Sequence, residues 1–159
     1  VVDTNSFMQV ATGVASVSAG DEHTAIIKDD GTLWMTGDNR SGQLGIGTAV
    51  DTSTFVEVMS NVASVSAGNE NTAIIKSDST LWIVGGNDEG ALGDSTFIDK
   101  TSFLKIDSNV VSVSAGDEFT LILKDDGTVW GTGYNSYGQL GDGTYNTLSS
   151  FKQIYPLNE

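Results

Sequence analysis

The sequence predicts an all-β chain of propeller blades, each made of four antiparallel strands. Three observations carry this. The segment Val-Ala-Ser-Val-Ser-Ala-Gly begins at Val14 and at Val62 and returns as Val-Val-Ser-Val-Ser-Ala-Gly at Val110, a spacing of 48 residues without insertion. Residues 14–48 and 110–144 agree in 25 of 35 columns. No stretch holds a 3.6-residue apolar period, whereas short alternating runs bounded by Gly, Asp and Asn recur evenly, as strands and turns do. A period near 50 with four strands per unit is the pattern of a blade.

Each strand has its own reason. Residues 14–19 alternate Val and Ser, which suits a half-buried strand. Residues 24–28 form an apolar run ending at Lys28. Asp29-Asp30-Gly31 follows, a hairpin turn whose residues tolerate positive φ. Residues 32–36 carry Trp34, and the long turn 37–45 leads to a fourth strand over 53–58. The chain divides into repeats at 14–61, 62–109 and 110–159. Residues 1–13 match a fourth strand, since Phe7, Phe55, Phe103 and Phe151 share the spacing, and are read as the outer strand of a preceding blade.

Positions that agree across the repeats read as structural. Trp34, Trp82 and Trp130 are expected to fill the space between sheets, and Leu44, Leu92 and Leu140 to plug the gap between neighbouring blades. Asn39, Asn87 and Asn135 lie in the long turn, where an Asn side chain bonds nearby backbone. Glu22, Glu70 and Glu118 with Lys28, Lys76 and Lys124 suggest a ladder of cross-strand or inter-blade ion pairs. Tyr134, Tyr137 and Tyr145 differ from their counterparts in both other repeats, and tyrosine suits contact surfaces, so they are the candidate binding residues.

Composition excludes several classes. The chain has 159 residues, no Cys, one His and a net charge of −14. Without Cys there is no disulfide scaffold, thiol catalysis or Cys-based metal site, and one His cannot build a multi-His site. The negative charge opposes nucleic acid and anionic membranes, and no apolar run approaches the roughly 20 residues of a membrane-spanning helix. His23 lacks an evident catalytic partner, and Asp29-Asp30 and Asp125-Asp126 lie in hairpin turns. Gly42–Gly47 opens no helix and lacks a following Lys-Ser/Thr, so it is not a phosphate loop. No cofactor or metal is expected.

Three segments carry a resemblance: residues 17–27, residues 28–34 and the turn 37–45, repeated as Gly133-Tyr134-Asn135-Ser136-Tyr137-Gly138-Gln139-Leu140-Gly141. They resemble the regulator-of-chromosome-condensation repeat. The resemblance implies a β-propeller, typically of seven blades. The family's His stands only at His23, replaced by Asn71 and Phe119, the turn Gly is Ser79 in the second repeat, and Gln43 becomes Ala91. The family spans a nucleotide exchange factor for a small GTPase, an inhibitor of β-lactamases and many binding modules. The expected function is a non-catalytic binding scaffold for a protein partner. A guanine nucleotide exchange factor-like regulator and a glycan-binding lectin-like module are the alternatives. The expected setting is extracellular or at a cell surface, from acidic, Asn/Thr/Ser-rich composition without Cys. Three blades leave two open faces, so the chain is expected to be part of a longer array or to close a six-bladed ring as a homodimer.

Overall fold

The computed structural model describes residues 7–155, which fold entirely into strands and turns. Blade 1 comprises β1 (Val14–Ala19), β2 (His23–Lys28), β3 (Leu33–Gly37) and β4 (Thr52–Met59). Blade 2 comprises β5 (Val62–Ala67), β6 (Asn71–Lys76), β7 (Leu81–Gly85) and β8 (Lys100–Asp107). Blade 3 comprises β9 (Val110–Ala115), β10 (Phe119–Lys124), β11 (Val129–Gly133) and β12 (Leu148–Tyr155). Each blade is a four-stranded sheet in sequence order, every strand antiparallel to the one before it. The first strands of successive blades stand side by side, because the Ala67 and Ala115 amides donate to the Ser18 and Ser66 hydroxyls at 3.0 and 2.9 Å.

Of the extra strand expected over 1–13, residues 1–6 lie outside the described residues. Phe7–Val10 is exposed and outside any strand. The equivalent segments β4, β8 and β12 pair with the third strand of their own blade; Phe7–Val10 has no such strand among the described residues.

The core lies between blades. Blade 1 offers Ala25, Ile27, Leu33, Met35 and Leu44 to a cluster that blade 2 completes with Val62, Ile74, Val84 and Phe103. The same columns of blades 2 and 3 build the second cluster, from Ala73, Ile75, Leu81, Ile83 and Leu92 against Val110 and Ile122. Leu44 and Leu92 are fully buried in these seams. Size is conserved across paired positions. Ala25 faces Met35 and Ala73 faces Ile83, whereas in blade 3 Leu121 faces Gly131, so one large side chain fills each pair. In the hairpin of blade 2, Ser79 takes φ 62°, the conformation its counterparts Gly31 and Gly127 adopt at 78° and 84°.

The tryptophans are half-buried rather than interior. Trp82 packs on the first cluster and Trp130 on the second, while Trp34 lies on the uncovered side of blade 1 and joins neither. Each indole N–H donates to a hydroxyl two residues back, Thr32, Thr80 or Thr128, at 2.8–2.9 Å. Over the rings sit the ammonium groups of Lys28, Lys76 and Lys124, at 3.7, 4.8 and 4.6 Å. The expected Glu–Lys ladder is therefore absent among the described residues. Glu22 and Lys28 lie at opposite ends of β2, about 20 Å apart at roughly 3.3 Å per residue, too far for pairing.

Candidate functional site

Antiparallel order puts two kinds of connection at opposite ends of each blade. The short β2–β3 hairpin lies at one end. The β1–β2 turn and the long β3–β4 turn share the other, here called the loop end.

The long turn is built around its Asn. Asn39 is fully buried: its Oδ1 accepts the Leu44 amide at 2.9 Å and its Nδ2 donates to the carbonyls of Thr48 and Val50 at 2.8 and 3.1 Å. Asn87 and Asn135 accept the Leu92 and Leu140 amides at 3.0 Å each. Those amide bonds swing Leu44 and Leu92 into the next seam; Leu140, at the end of the array, folds back toward Gly131.

Two clefts open at the loop end, one per seam. In the blade 1–blade 2 cleft the charged groups are paired with one another, and the buried His23 Nδ1 is the one side-chain atom of the group without a hydrogen-bond partner. Arg40 donates from its NH2 nitrogen to Glu22 at 2.7 Å and from Nε to Asp38 at 2.5 Å. Gln43 donates to the other Asp38 oxygen at 2.6 Å and accepts the Ser41 amide at 3.0 Å. These bonds outweigh the burial of Asp38 and hold its carboxyl below the ordinary range. His23 lies 2.8 Å from the Thr72 hydroxyl, which itself donates to the Gln43 carbonyl, so Nε2 carries the proton. Burial lowers the His23 pKa, partly countered by Asp38. His23 and Thr72 are both buried, so this base-and-hydroxyl pair has no access to a substrate.

The blade 2–blade 3 cleft encloses about 270 Å³ and is not satisfied. Arg40 is replaced by Asp88, Asp38 by Gly86, Gln43 by Ala91 and Ser41 by Glu89. Glu70, Asp88, Glu89, Asp117 and Glu118 line it, and no Lys or Arg does. Asn71 also lines it, 1 % exposed, with neither side-chain atom hydrogen-bonded. Its shorter side chain makes no bond like that of His23, and the equivalent hydroxyl of Thr120 donates only to the Ala91 carbonyl. Burial of its carboxyl, then the charges of Asp117, Glu89, Glu70 and Asp88, raise Glu118 above the usual carboxylate range.

The tyrosines sit at the same end, on the uncovered side of blade 3. Tyr134 and Tyr137 meet edge to face with ring centres 6.0 Å apart, and a side chain at Gly138 would lie 3.5 Å from Tyr145. Tyr137 and Tyr145 are 85 % and 73 % exposed. In blades 1 and 2 the glycines equivalent to Gly138 press on the next blade: Gly42 on the Lys100 carbonyl and Gly90 on the Leu148 carbonyl. The tyrosines thus occupy an edge where a further blade would stack.

Several other carboxylates are used structurally. Asp30, Asp78 and Asp126 each accept the amide and hydroxyl of the Thr two residues on, which lowers their pKa values. Asp94 and Asp142 pair with Lys100 and Lys152 at 3.0 and 2.9 Å. The Lys152 bond, with those from Thr144, brings Asp142 down to about 2. Among the described residues no group of three or more His, Asp or Glu is placed to hold a metal ion.

Sequence reasoning chose the tyrosines and passed over Asn71, Asp88 and Glu89. The signal was present. One column reads Arg40, Asp88, Ser136, a charge reversal beside two columns that lose their polar side chain in the second repeat.

Comparison with known proteins places this geometry. A family model described as the regulator of chromosome condensation (RCC1) repeat matches residues 14–43 and 110–139, and a second of the same description matches 30–75. Human WBSCR16 superposes with a TM-score of 0.80 at 22 % identity, over 94 % of this chain and 40 % of that one. Prp20p from Saccharomyces cerevisiae superposes with a TM-score of 0.80 at 17 % identity, over 89 % of this chain and 38 % of its own. A human protein described as probable E3 ubiquitin-protein ligase HERC6 is 58 % identical over 33 residues, 21 % of this chain and 3 % of that protein. The chain therefore spans well under half the length of these relatives.

Proposed function

Since the chain belongs to the regulator of chromosome condensation (RCC1) repeat family, a propeller fold of protein-interaction modules and GTPase regulators, we propose that it is a non-catalytic scaffold whose loop end binds a protein partner. One observation carries this reading. The repeats keep the Asn and Leu that build the long turn, while the columns holding Asp38, Arg40, Ser41 and Gln43 around them change charge and size at the mouths of the clefts. Changes of charge and size around an otherwise repeated turn are what a recognition surface needs. One relative supports it by analogy: yeast RCC1 (Prp20) has been crystallised with Kap60 bound, and was also studied for binding to Gsp1p and histones.

The test is site-specific photo-crosslinking in the native source. A photoreactive residue at Glu89, at the loop end, is expected to give reproducible protein adducts, and one at Asp78, in the opposite hairpin, none. Equal adducts from both positions, or none from Glu89, would refute the reading. Acceleration of nucleotide release from small GTPases by the purified chain would replace it with an exchange-factor function.

A further inference from the structure

We propose that the cleft between blades 2 and 3 receives an arginine side chain from a basic segment of another molecule, in the place that Arg40 fills one blade earlier. The proposal rests on the loop end being a protein-binding surface and names the chemistry it recognises there.

The first cleft is the template. There a guanidinium bonds Glu22 and Asp38, Gln43 donates to Asp38, and the His23 ring reaches the Thr72 hydroxyl through Nε2 while its Nδ1 has no partner. The second cleft has the same backbone and the opposite balance. The arginine has become Asp88, and Gly86 and Ala91 leave empty the space of Asp38 and Gln43. Five carboxylates remain without a cation in the lining, and burial together with the like charges of the other four raises Glu118.

Asn71 is the independent sign that something is missing. A buried amide with no partner costs about 1–3 kcal/mol, and folded proteins rarely retain one without a use. Its carbonyl can accept from an entering guanidinium, and its NH₂ can donate to the backbone of the segment carrying it. A bare divalent cation fits less well, since no three acidic residues converge as a ligand set among those described. A planar fork of five donors suits carboxylates spread around a cleft. Within these 159 residues no arginine is free to fill the cleft, because Arg40 is the only one and is already engaged.

The probe is the peptide acetyl-Gly-Arg-Gly-amide, titrated into the isotope-labelled 159-residue chain and followed by NMR. The Asn71 side-chain NH₂ is expected to shift saturably. The citrulline analogue, isosteric but neutral, is expected to bind at least tenfold more weakly. Asp88→Arg supplies an internal guanidinium and is expected to weaken the peptide at least tenfold; Glu89→Gln combined with Glu118→Gln should weaken it with no new side chain in the cleft. An unmoved Asn71, equal binding of the citrulline peptide, or wild-type binding by both variants would overturn the proposal. So would Ca²⁺ displacing the peptide at micromolar concentration, which would identify a metal site. Partner crosslinking at Glu89 that persists in Asp88→Arg would remove this proposal while leaving the scaffold reading in place.

Discussion

Gly45, Gly93 and Gly141 occupy the same position in the three long turns, with φ of 67°, 69° and 68°. Alanine at each meets the same backbone strain, about 1–2 kcal/mol for a left-handed residue. The surroundings differ. A Cβ on Gly45 would lie 2.5 Å from the Phe103 ring of blade 2, and one on Gly93 would lie 2.6 Å from the Phe151 ring of blade 3. A Cβ on Gly141 would meet nothing within 4 Å. Ordinary contact is nearer 3.5–4 Å, so each ring must retreat by about 1 Å into a filled seam, an overpacking that costs about 1–3 kcal/mol. Gly45→Ala and Gly93→Ala should therefore lose about 2–5 kcal/mol, and Gly141→Ala only about 1–2 kcal/mol. At roughly 2–4 °C per kcal/mol the gap in melting temperature is roughly 2–12 °C. Urea and thermal unfolding followed by tryptophan fluorescence read it directly. Equal losses at all three sites would refute the claim that these glycines exist for contact between blades. A Gly141→Ala cost that grows with protein concentration would show instead that a second copy covers the open face.

The other expectations are shorter. Asn39→Ala removes the acceptor of the Leu44 amide and the donor to two carbonyls, and should cost about 3 kcal/mol or more in urea unfolding if each of these orphaned groups costs about 1–3 kcal/mol; a loss under about 1 kcal/mol would contradict the turn's construction. Ser79→Gly should stabilise by about 0.5–1 kcal/mol, because glycine accepts the φ of 62° without the steric cost serine bears there; a neutral or destabilising result refutes that. Asp142, at about 2 in the folded chain, contributes stability present above its ordinary value of 3.8 and lost as pH falls toward 2. Asp142→Asn should flatten that acid limb, and an unchanged limb would show the Lys152 pair to be inert. Glu118 runs the other way: its raised pKa makes ionisation oppose folding as pH climbs above its ordinary 4.5, so Glu118→Gln should stabilise at pH 7 and be neutral near pH 4. Light scattering should find the chain associated, since Leu123 is 37 % exposed where Ile27 and Ile75 are 4 % and 5 %; a single 16.7 kDa species stable on dilution would refute this.

The blades were legible because a period of 48 residues repeats every constraint three times. A glycine at 45, 93 and 141 cannot be accidental, and the strand edges follow from Gly, Asp and Asn that punctuate them. The pairing partners of charges were not legible. Glu22 and Lys28 look complementary in sequence, yet a strand separates them, and Lys28 finds the face of Trp34 instead. The extra outer strand is read from the match of residues 2–10 to residues 50–58, anchored on the spacing that Phe7 shares with Phe55. Sequence similarity to β4 specifies a strand only where a third strand waits beside it, and Phe7–Val10 has none among the described residues. The tyrosines stood out because aromatic substitutions are conspicuous, whereas the second cleft is defined by what was removed. Gly86 and Ala91 announce nothing individually; their meaning comes from the Asp38 and Gln43 they replace across the array.

That contrast bears on where a repeat protein stores specificity. A seam residue answers to tightly packed neighbours, so a change there must be matched nearby, as the exchange of Met35 and Ile83 for Gly131 is matched by Leu121 on the adjacent strand of the same blade. A cleft residue answers only to its local charge balance. Losing Arg40's counterpart in the second repeat leaves strand pairing and apolar burial untouched, and costs only electrostatic repulsion and one unpaired amide. The fold tolerates that locally because the seams below supply its cohesion. The loop end can thus carry an unsatisfied site that the rest of the blade could not, and an external cation is the simplest way to satisfy it.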